Sequence, residues 1–376
     1  MSGTGGTSGT GGTGGTGVPP VPPNPKVQSM NTSHYPPILI EVTRGQLVES
    51  QHRGLIAVVD SAGSIIASLG NCETVTFFRS AAKPFQAIPL ITSGAMSRFG
   101  LTPRELAVIT GSHSGEEIHL TAVRSILSRG QLSVDLLQCG AHPPFDSRAA
   151  RALREAGKSP DTLHNNCSGK HAGMLLQASH GAHHLHDYLD PDHPIQIVIR
   201  QVVAEFTATA PENITVAIDG CSAPVFGVSL EAMALSYARL VTSATDSVTG
   251  KAARQVLAAM LEFPEMVGGT RGRLDTDLMR ALPGRIVSKV GAEGVQLLGI
   301  LPTPRYPRGL GIAIKIEDGD IRRARDPVVI EVLHQLGLLD EETGPLLKAY
   351  AGSPHRNHRD REVGEVRTTF NLVAGA

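Results

Sequence analysis

The residues best suited to chemistry in this sequence are a serine and a lysine three positions apart, Ser80 and Lys83. If residues 80–83 form one helical turn, both side chains lie on the same face, and the lysine amine can act on the serine hydroxyl. A serine activated in this way is a nucleophile that needs no histidine. The same spacing also arises by chance in capped, solvated helices, so its meaning depends on the rest of the chain.

The elements around this pair predict where the serine lies. The apolar run Thr76-Phe77-Phe78 ends a predicted strand, and a helix is predicted over about 85–98. Pro84 is tolerated only in the first turn of such a helix. We therefore predict that Ser80 lies at the helix N-terminus, where backbone N–H groups and the helix dipole favour developing negative charge.

Further reactive residue types stand where other predicted elements end. A polar loop containing Ser112 and Glu116 separates two apolar segments. Two thiols, an amine and a carboxylate follow in two later stretches: Cys167, Lys170, Asp219 and Cys221. The ends of elements are where α/β proteins commonly place their sites, although a cysteine that only packs explains each thiol equally well.

The strand pattern predicts the fold class. Strands are predicted at 38–43, 46–50, 55–60 and 64–69 as an antiparallel meander, at 311–317 and 321–325 as a hairpin, and at 364–372 as an edge strand. Helical segments fill most of the chain between them. Strands at both ends of the chain predict an α/β (α+β) fold in which N- and C-terminal strands share one antiparallel sheet, layered with helices.

Composition limits the partners. The chain has 376 residues, of which 41% are hydrophobic and 18% charged, with a formal net charge of −1. This charge balance gives no basic field for nucleic acid or for a membrane surface, and no stretch is apolar enough to span a bilayer. We expect a protein of the cytoplasm with free thiols, a small-molecule substrate, no nucleic-acid partner and no membrane partner.

The start of the chain differs from the rest. Residues 1–36 are rich in Gly, Thr and Pro and contain neither a basic nor an apolar segment of a secretory signal. They have too little apolar surface to fold, so we predict a disordered tail. Residues 37–376 are predicted to form a single catalytic domain.

Several motifs together resemble one known family. They are Phe78-Arg79-Ser80-Ala81-Ala82-Lys83-Pro84-Phe85-Gln86-Ala87, Ser112-His113-Ser114-Gly115-Glu116, Asn165-Asn166-Cys167-Ser168-Gly169-Lys170-His171, Asp219-Gly220-Cys221 and Lys289-Val290-Gly291-Ala292-Glu293-Gly294. In order and spacing they are similar to the asparaginase II family of the rhizobial thermolabile type, over roughly residues 38–372. Five motifs in order are far more specific than one Ser-x-x-Lys pair.

The resemblance implies hydrolysis of L-asparagine to L-aspartate and ammonia by a homodimer whose fold is similar to serine β-lactamases and glutaminases. The family's two serine–lysine pairs fall on Ser80 with Lys83 and on Ser112 with Lys289. Lys315, which also lies downstream in a predicted strand, is an alternative to Lys289. Within and beside the motifs we predict substrate contacts for a further set: Arg79, Glu116, His171 and Asp219.

The resemblance also implies a metal site, reported with zinc in the family. It falls on Cys167, Lys170 and Cys221, with Asp219 beside it. We expect Zn²⁺ to organise the substrate rather than to supply the nucleophile, because serine–lysine chemistry already provides a nucleophile and a base. No organic cofactor is expected.

The expected chemistry is covalent. Ser80 attacks the side-chain amide, ammonia leaves, and water cleaves the acyl-enzyme. The base must be a neutral lysine, so burial and nearby cations must lower a pKa of ~10.4 by roughly two to three units. Arg79, Lys83 and Lys289 supply this repulsion if they converge, and Ser112 is expected to relay a proton to the leaving nitrogen.

Two alternatives remain open from the residues alone. In the first, the protein is an amidase in which Cys167 is the nucleophile and His171, one helical turn later, is its base. In the second, the protein binds an amide or a metal without catalysis. Ammonia release from asparagine separates the second alternative from both enzyme mechanisms.

Overall fold

The structure is a computed structural model that describes residues 35–244 and 246–375. The predicted tail, residues 1–36, lies outside the described residues except for its last two positions. Pro36–Ala376 form one compact unit. Within the described ranges no helix has the length and apolar character needed to cross a membrane.

The strands, in chain order, are β1 (Ile38–Arg44), β2 (Leu47–Val59), β3 (Ile65–Leu69), β4 (Val75–Phe77), β5 (Thr215–Ile218), β6 (Pro224–Ser229), β7 (Ile286–Gly291), β8 (Val295–Ile300), β9 (Leu310–Ile316), β10 (Pro354–Arg356), β11 (Glu362–Thr368) and β12 (Val373–Ala374). Most of the central helices lie between β4 and β7. Strand segments therefore gather towards the two ends of the chain.

The α-helices are α1 (Lys83–Thr92), α2 (Ala95–Arg98), α3 (Pro103–Thr110), α4 (Glu117–Arg129), α5 (Ser147–Glu155), α6 (Ser168–His180), α7 (Pro194–Thr207), α8 (Leu230–Val241), α9 (Val248–Glu262), α10 (Pro264–Val267), α11 (Leu274–Ala281), α12 (Asp326–Gln335) and α13 (Thr343–Leu346). Short 3₁₀ turns connect several of them. The one that matters for the site is Arg79–Ala82, which runs directly into α1.

The main sheet joins the two ends of the chain. Its nine strands include the path β10-β11-β1-β2-β9-β8-β7, with β3 paired to β2 and β12 paired to β3. All of these pairs are antiparallel, and β1 meets β11 with Ile40 opposite Thr368. The predicted α/β fold, with an antiparallel sheet shared by N- and C-terminal strands, is confirmed. A smaller sheet has the order β4-β6-β5.

Helices cover both faces of the main sheet. Alternate residues of β2 enter different cores: Leu55 and Ala57 belong to one, Ile56 and Val58 to the other. The side-chain alternation of a strand requires this when both faces are covered. The first core contains residues of α1, α3, α6 and α8, and the second contains residues of α11 and α12.

Some predicted boundaries were wrong. The strands predicted at 46–50 and 55–60 are one 13-residue strand, β2, because residues between them pair with β1 and β9. The helix predicted over 85–98 is divided into α1 and α2 by Gly94, whose φ of 83° no α-helix accepts.

Two predictions near the C-terminus were also wrong. Residues 321–325 form a π-helical turn rather than the second strand of a hairpin, and the Asp320 carboxylate accepts the Arg323 N–H at 2.8 Å at its start. Segment 364–372 was predicted to be an edge strand, but β11 lies between β10 and β1. Such pairings depend on partners distant in sequence.

Packing of α8 on β9 gives a test of this layered fold. A Cβ on Gly311 would lie 1.7 Å from the carbonyl oxygen of Ala234, so we expect Gly311→Ala to lower the free energy of unfolding by about 3 kcal/mol or more. Urea unfolding measures this change. Gly344→Ala is the control, since its Cβ would meet nothing within 4 Å. Equal stability of the two variants would contradict the packing.

Candidate active site

The centre of the site is a buried serine held between two buried lysines. Lys83 Nζ lies 3.1 Å from Ser112 Oγ, and Lys289 Nζ lies 2.9 Å from the same oxygen. Ser112 is 3% exposed and both lysines are fully enclosed. The three side chains form a continuous hydrogen-bonded chain, which we call the Lys–Ser–Lys relay.

Three separate elements supply the relay. Lys83 is the first residue of α1, Ser112 follows the end of α3, and Lys289 lies in β7. Ser112 is fixed by its own backbone, whose N–H donates to the carbonyl oxygen of Val267 at 2.8 Å. A Cβ on Gly111, the preceding residue, would lie 2.6 Å from Met266 O, so the close approach at this point requires glycine.

Backbone carbonyls complete the surroundings of Lys83. Its amine donates to Gly111 O at 2.5 Å and to Asn166 O at 3.2 Å. A neutral amine has two N–H groups for these carbonyls and one lone pair, which is left to accept the Ser112 hydroxyl proton. The contacts of Lys83 therefore suit the neutral base form.

The electrostatic environment also favours neutral amines. Burial lowers the pKa of Lys289 well below its ordinary value; Asp275 opposes this shift, and Lys83 and Arg273 add to it. Burial also lowers the pKa of Lys83, with the Cys167 sulfur opposing the shift. The predicted lowering of lysine pKa values thus has a physical cause here, and that cause is mainly desolvation.

Ser80 lies outside the relay but beside it. It sits in the Arg79–Ala82 turn, is half-buried, and its hydroxyl makes no hydrogen bond within the described ranges. The predicted Ser80–Lys83 pair is therefore not joined by a hydrogen bond, because the Lys83 amine is directed to Ser112. Arg79, the residue before Ser80, has a φ of 51°, an uncommon left-handed conformation for a side chain of this size.

Both serines line one cavity of about 360 Å³. Its wall contains both apolar and charged side chains. Its other lining residues include Phe145, Asn166, Arg273, Asp275, Arg325, Asp326 and Tyr350.

The predicted substrate-binding residues do not share one location. Arg79 and Asp219 form an ion pair at 2.8 Å, with Glu293 3.8 Å from Arg79. Glu116 instead accepts the backbone N–H of Thr270 at 2.8 Å and holds the loop before α11. None of the three predicted residues Arg79, Asp219 and Glu116 lines the cavity.

His171 is also directed away from the relay. It is fully buried in α6, and its Nδ1 lies 2.6 Å from the hydroxyl of Tyr188. Burial, together with Lys170 and Lys83, lowers the pKa of His171 well below its ordinary value. Its ring has no hydrogen bond to the Cys167 thiol among the described residues.

The three predicted metal ligands do come together. Lys170 Nζ lies 3.1 Å from Cys221 Sγ. A hydrogen bond from Cys221 lowers the pKa of Cys167 well below its ordinary value; burial opposes this, and Lys83 adds to it. The same hydrogen bond, with burial, raises the pKa of Cys221. Burial opposes the charged form of Lys170, but the sulfurs of Cys221 and Cys167 raise its pKa above the usual range.

This thiol–lysine cluster differs from a common metal site. Within the described residues, no three His, Cys, Asp or Glu side chains are grouped as metal ligands would be. Two sulfurs and an amine nonetheless suit a soft divalent cation such as Zn²⁺, provided that Lys170 and Cys221 lose their protons.

Lys315, the alternative to Lys289, lies elsewhere. Its amine donates to the carbonyl oxygens of Glu293 at 2.5 Å and Ile316 at 2.6 Å. It has no contact with Ser112 in the described part of the chain. Geometry therefore favours Lys289 as the partner of Ser112.

Three residues of the site were missed from the sequence. Arg273 donates to Ser114 Oγ at 2.8 Å and to Ser112 O at 2.9 Å, and Asn166 accepts from Lys83. The carboxylate of Asp275 is fully buried beside β7. The sequence around Asp275 does not distinguish it from a helix-capping residue, because its hydrogen-bond partners lie in strands later in the chain.

A serine between lysines at a cavity wall is typical of enzymes that activate serine without histidine. The sequence model of the family described as L-asparaginase II matches residues 40–368. The chain therefore belongs to the L-asparaginase II family. A search of the curated proteins gave no match.

Solved structures give weaker likenesses. A probable glutaminase from Bacillus subtilis, complexed with 6-diazo-5-oxo-L-norleucine, aligns at 14% identity over 79% of this chain and 82% of that chain, with a TM-score of 0.35. A Bacillus glutaminase in 4.3 M NaCl aligns at 14% identity over 79% and 89%, with a TM-score of 0.34.

Burial of Lys289 predicts a pH-dependent effect on stability. Its folded-state pKa lies below the unfolded value near ~10.4, so the unfolded chain binds more protons between these values and stability rises with pH there. We expect the gap in the free energy of unfolding between Lys289→Met and wild type to shift in favour of the wild type by about 1–3 kcal/mol between pH 7 and pH 10, because only the wild type gains stability over this range.

Urea unfolding at several pH values measures that gap. Lys158→Met is the matched control because Lys158 is exposed, and its curve should run parallel to that of the wild type. A constant gap for Lys289→Met would contradict a lowered pKa at this lysine.

Proposed function

We propose that this protein is an L-asparaginase that hydrolyses L-asparagine to L-aspartate and ammonia through a serine acyl-enzyme. The observation that carries the proposal is the Lys–Ser–Lys relay at the wall of the cavity that also contains Ser80. Membership of the L-asparaginase II family supports the substrate.

Ser80 is the nucleophile in this proposal. Its hydroxyl is uncommitted and faces the cavity, one turn before the N-terminus of α1, whose dipole favours negative charge. Acylation of Ser112 would remove the hydroxyl group that links the two lysine amines. Acylation of Ser80 leaves that hydroxyl in place for hydrolysis of the acyl-enzyme. We therefore assign proton relay to Ser112.

We propose the following proton steps, in which the amine of Lys83 serves Ser80 as well as Ser112. Ser80 Oγ attacks the carboxamide carbon and gives its proton to the neutral amine of Lys83. The Lys83 ammonium then protonates Ser112 Oγ, which passes its own proton to the leaving nitrogen, and ammonia departs. Water attacks the resulting ester, its proton goes to Lys83, and Ser80 leaves with a proton returned from that amine. Lys289 donates to Ser112 Oγ and stabilises the negative charge that develops on it.

A second arrangement makes Ser112 the nucleophile. The observation in its favour is that both lysine amines lie within hydrogen-bond distance of its oxygen. Its near-complete burial argues against it, because the substrate carbon must reach that oxygen. The cysteine mechanism has less support, since the imidazole of His171 bonds to Tyr188 rather than to Cys167.

We also propose that the thiol–lysine cluster, Cys167, Lys170 and Cys221, holds Zn²⁺. A bound cation would supply positive charge next to the Asp219 loop, where it would orient the carboxylate of an amino-acid substrate. Side chains and carbonyls of this chain position the other groups of the site. Asp219 forms an ion pair with Arg79, and the carbonyl oxygens of Asn166 and Gly111 accept from the amine of Lys83.

The composition and the resemblance support three further parts of the proposal. They are a homodimer, a location in the cytoplasm, and no partner among nucleic acids or membranes. The four cysteines are all free thiols, which agrees with a reducing compartment. Light scattering of the purified protein tests the dimer.

The first functional prediction concerns ammonia release. Purified protein should release ammonia from L-asparagine, and Ser80→Ala, Ser112→Ala and Lys83→Met should each reduce kcat/KM by about a thousandfold or more, because each removes part of one proton path. Ser179→Ala, whose side chain lies outside the cavity, is the control. Full activity in Ser80→Ala, or loss of all turnover in Cys167→Ala with Ser80→Ala unaffected, would contradict the serine mechanism.

The second functional prediction concerns the metal. Because Lys170 and Cys221 must each release a proton, zinc affinity should rise roughly a hundredfold per pH unit between pH 6 and 8. Calorimetric titration with Zn²⁺ in buffers of different ionisation enthalpy measures affinity and proton release together. Cys221→Ser should abolish binding, whereas Cys72→Ser, at a buried thiol that bonds to Ile56 O, should not. A zinc affinity that does not change with pH would contradict this ligand set.

A further inference from the structure

The relay has one buried carboxylate beside it that the proposed mechanism does not use. Asp275 is the second residue of α11 and is 1% exposed. Burying an ionised carboxylate is costly unless it is paired and hydrogen-bonded. Capping a helix does not explain this position, because the hydrogen bonds of the Asp275 side chain in the described part of the chain run to β7 and β8.

The hydrogen bonds of Asp275 enclose Lys289 from both sides along the strand. Ser288 Oγ donates to Asp275 Oδ1 at 2.7 Å, and the backbone N–H of Val290 donates to Oδ2 at 2.9 Å. Gln296 Nε2, from β8, donates to Oδ1 at 2.9 Å. One carboxylate thus fixes the residues immediately before and after Lys289 and ties β7 to the next strand.

The charge of Asp275 has a specific neighbour. Among the charged groups that face Lys289, Lys83 from α1 and Arg273 ahead of α11 are cationic, and both lower the pKa of Lys289. Asp275 and the sulfur of Cys167 oppose them. Burial raises the pKa of the Asp275 carboxyl, but Lys289 and the hydrogen bonds outweigh this, so the net pKa is lowered and the group is ionised.

We infer that Asp275 is the positioning residue of Lys289: its carboxylate holds the strand on either side of this lysine and supplies the negative charge that keeps its amine able to carry a proton. Without that charge, burial, the Arg273 guanidinium and Lys83 in its protonated form lower the pKa of Lys289, and the Cys167 sulfur opposes them. The amine then donates less strongly to Ser112 Oγ. The catalytic part of this inference rests on the proposed function, whereas the effect on Lys289 does not.

The charge of Asp275 also affects the pKa values of two other groups. Burial and the charge of Asp275 raise the pKa of Tyr237, which lies in α8. Burial raises the pKa of Asp326 at the start of α12, and Asp275 adds to that effect. Both groups are therefore protonated more readily than usual, and Asp275 exerts the largest charge effect that opposes the lowering of the Lys289 pKa.

The test is a titration of Lys289 itself. Protein labelled with ¹³C at lysine Cε gives a resonance that follows the charge of each amine, and Lys289→Arg identifies the resonance of Lys289. In Asp275→Asn, which removes the charge and keeps the shape, the pKa of Lys289 should fall by about one unit or more. This readout needs no catalysis, so it is separate from failure of the proposed function.

Ser288→Ala is the matched control. It removes one hydrogen bond from the same carboxylate and leaves the charge in place, so the titration of Lys289 should stay at the wild-type position. The limb of the kcat/KM pH profile that Lys289 controls should move to lower pH in Asp275→Asn and not in Ser288→Ala. A lower thermal stability of Asp275→Asn with an unchanged Lys289 titration would overturn the inference and leave a structural role only.

A second variant covers the case in which Asp275→Asn does not fold. If Asp275→Asn does not fold, Asp275→Ser removes the same charge with a smaller side chain that donates and accepts hydrogen bonds, and the same fall in the pKa of Lys289 is expected. Failure of both variants to fold would assign Asp275 to the fold rather than to Lys289 and would also overturn the inference.

Discussion

Two lysine amines and one serine hydroxyl are buried against one another, and the rest of the site is arranged around that constraint. Each amine must give its N–H groups to acceptors that remain in place, because an unpaired polar group at this depth costs about 1–3 kcal/mol or more. Lys83 uses Gly111 O and Asn166 O, and Lys289 uses Val290 O. Both amines also contact Ser112 Oγ, so two lysines hold the hydroxyl in place.

The fold meets this constraint by bringing element ends together at one side of the main sheet. The N-terminus of α1, the C-terminus of α3 and the start of α6 supply Lys83, Ser112 and Asn166, while β7 supplies Lys289. Negative charge near the relay comes from the Cys167 sulfur on one side and from Asp275 on the other. The charge nearest in effect to Lys83 is therefore in the thiol–lysine cluster, and the main opposing charge for the pKa of Lys289 is the Asp275 carboxylate.

The sequence predicted the antiparallel sheet and the meeting of Ser112 with Lys289, because local strand patterns and matched motifs carry that information. It also predicted the proximity of Lys170 and Cys221. It did not predict that Lys83 contacts Ser112 rather than Ser80, since the direction of a side chain depends on carbonyls supplied by other elements. Asp275 was missed for the same reason: its hydrogen bonds run to β7 and β8, and only the folded chain brings them together.

Covalent labelling with a diazoketone analogue of L-asparagine, followed by peptide mapping by mass spectrometry, identifies the nucleophile directly. We expect one label per chain, on Ser80, formed in the pH range where Lys83 is neutral. A label on Ser112 would exchange the roles of the two serines within the same chemistry. A label on Cys167, or ammonia release from asparagine without labelling of either serine, would contradict the account.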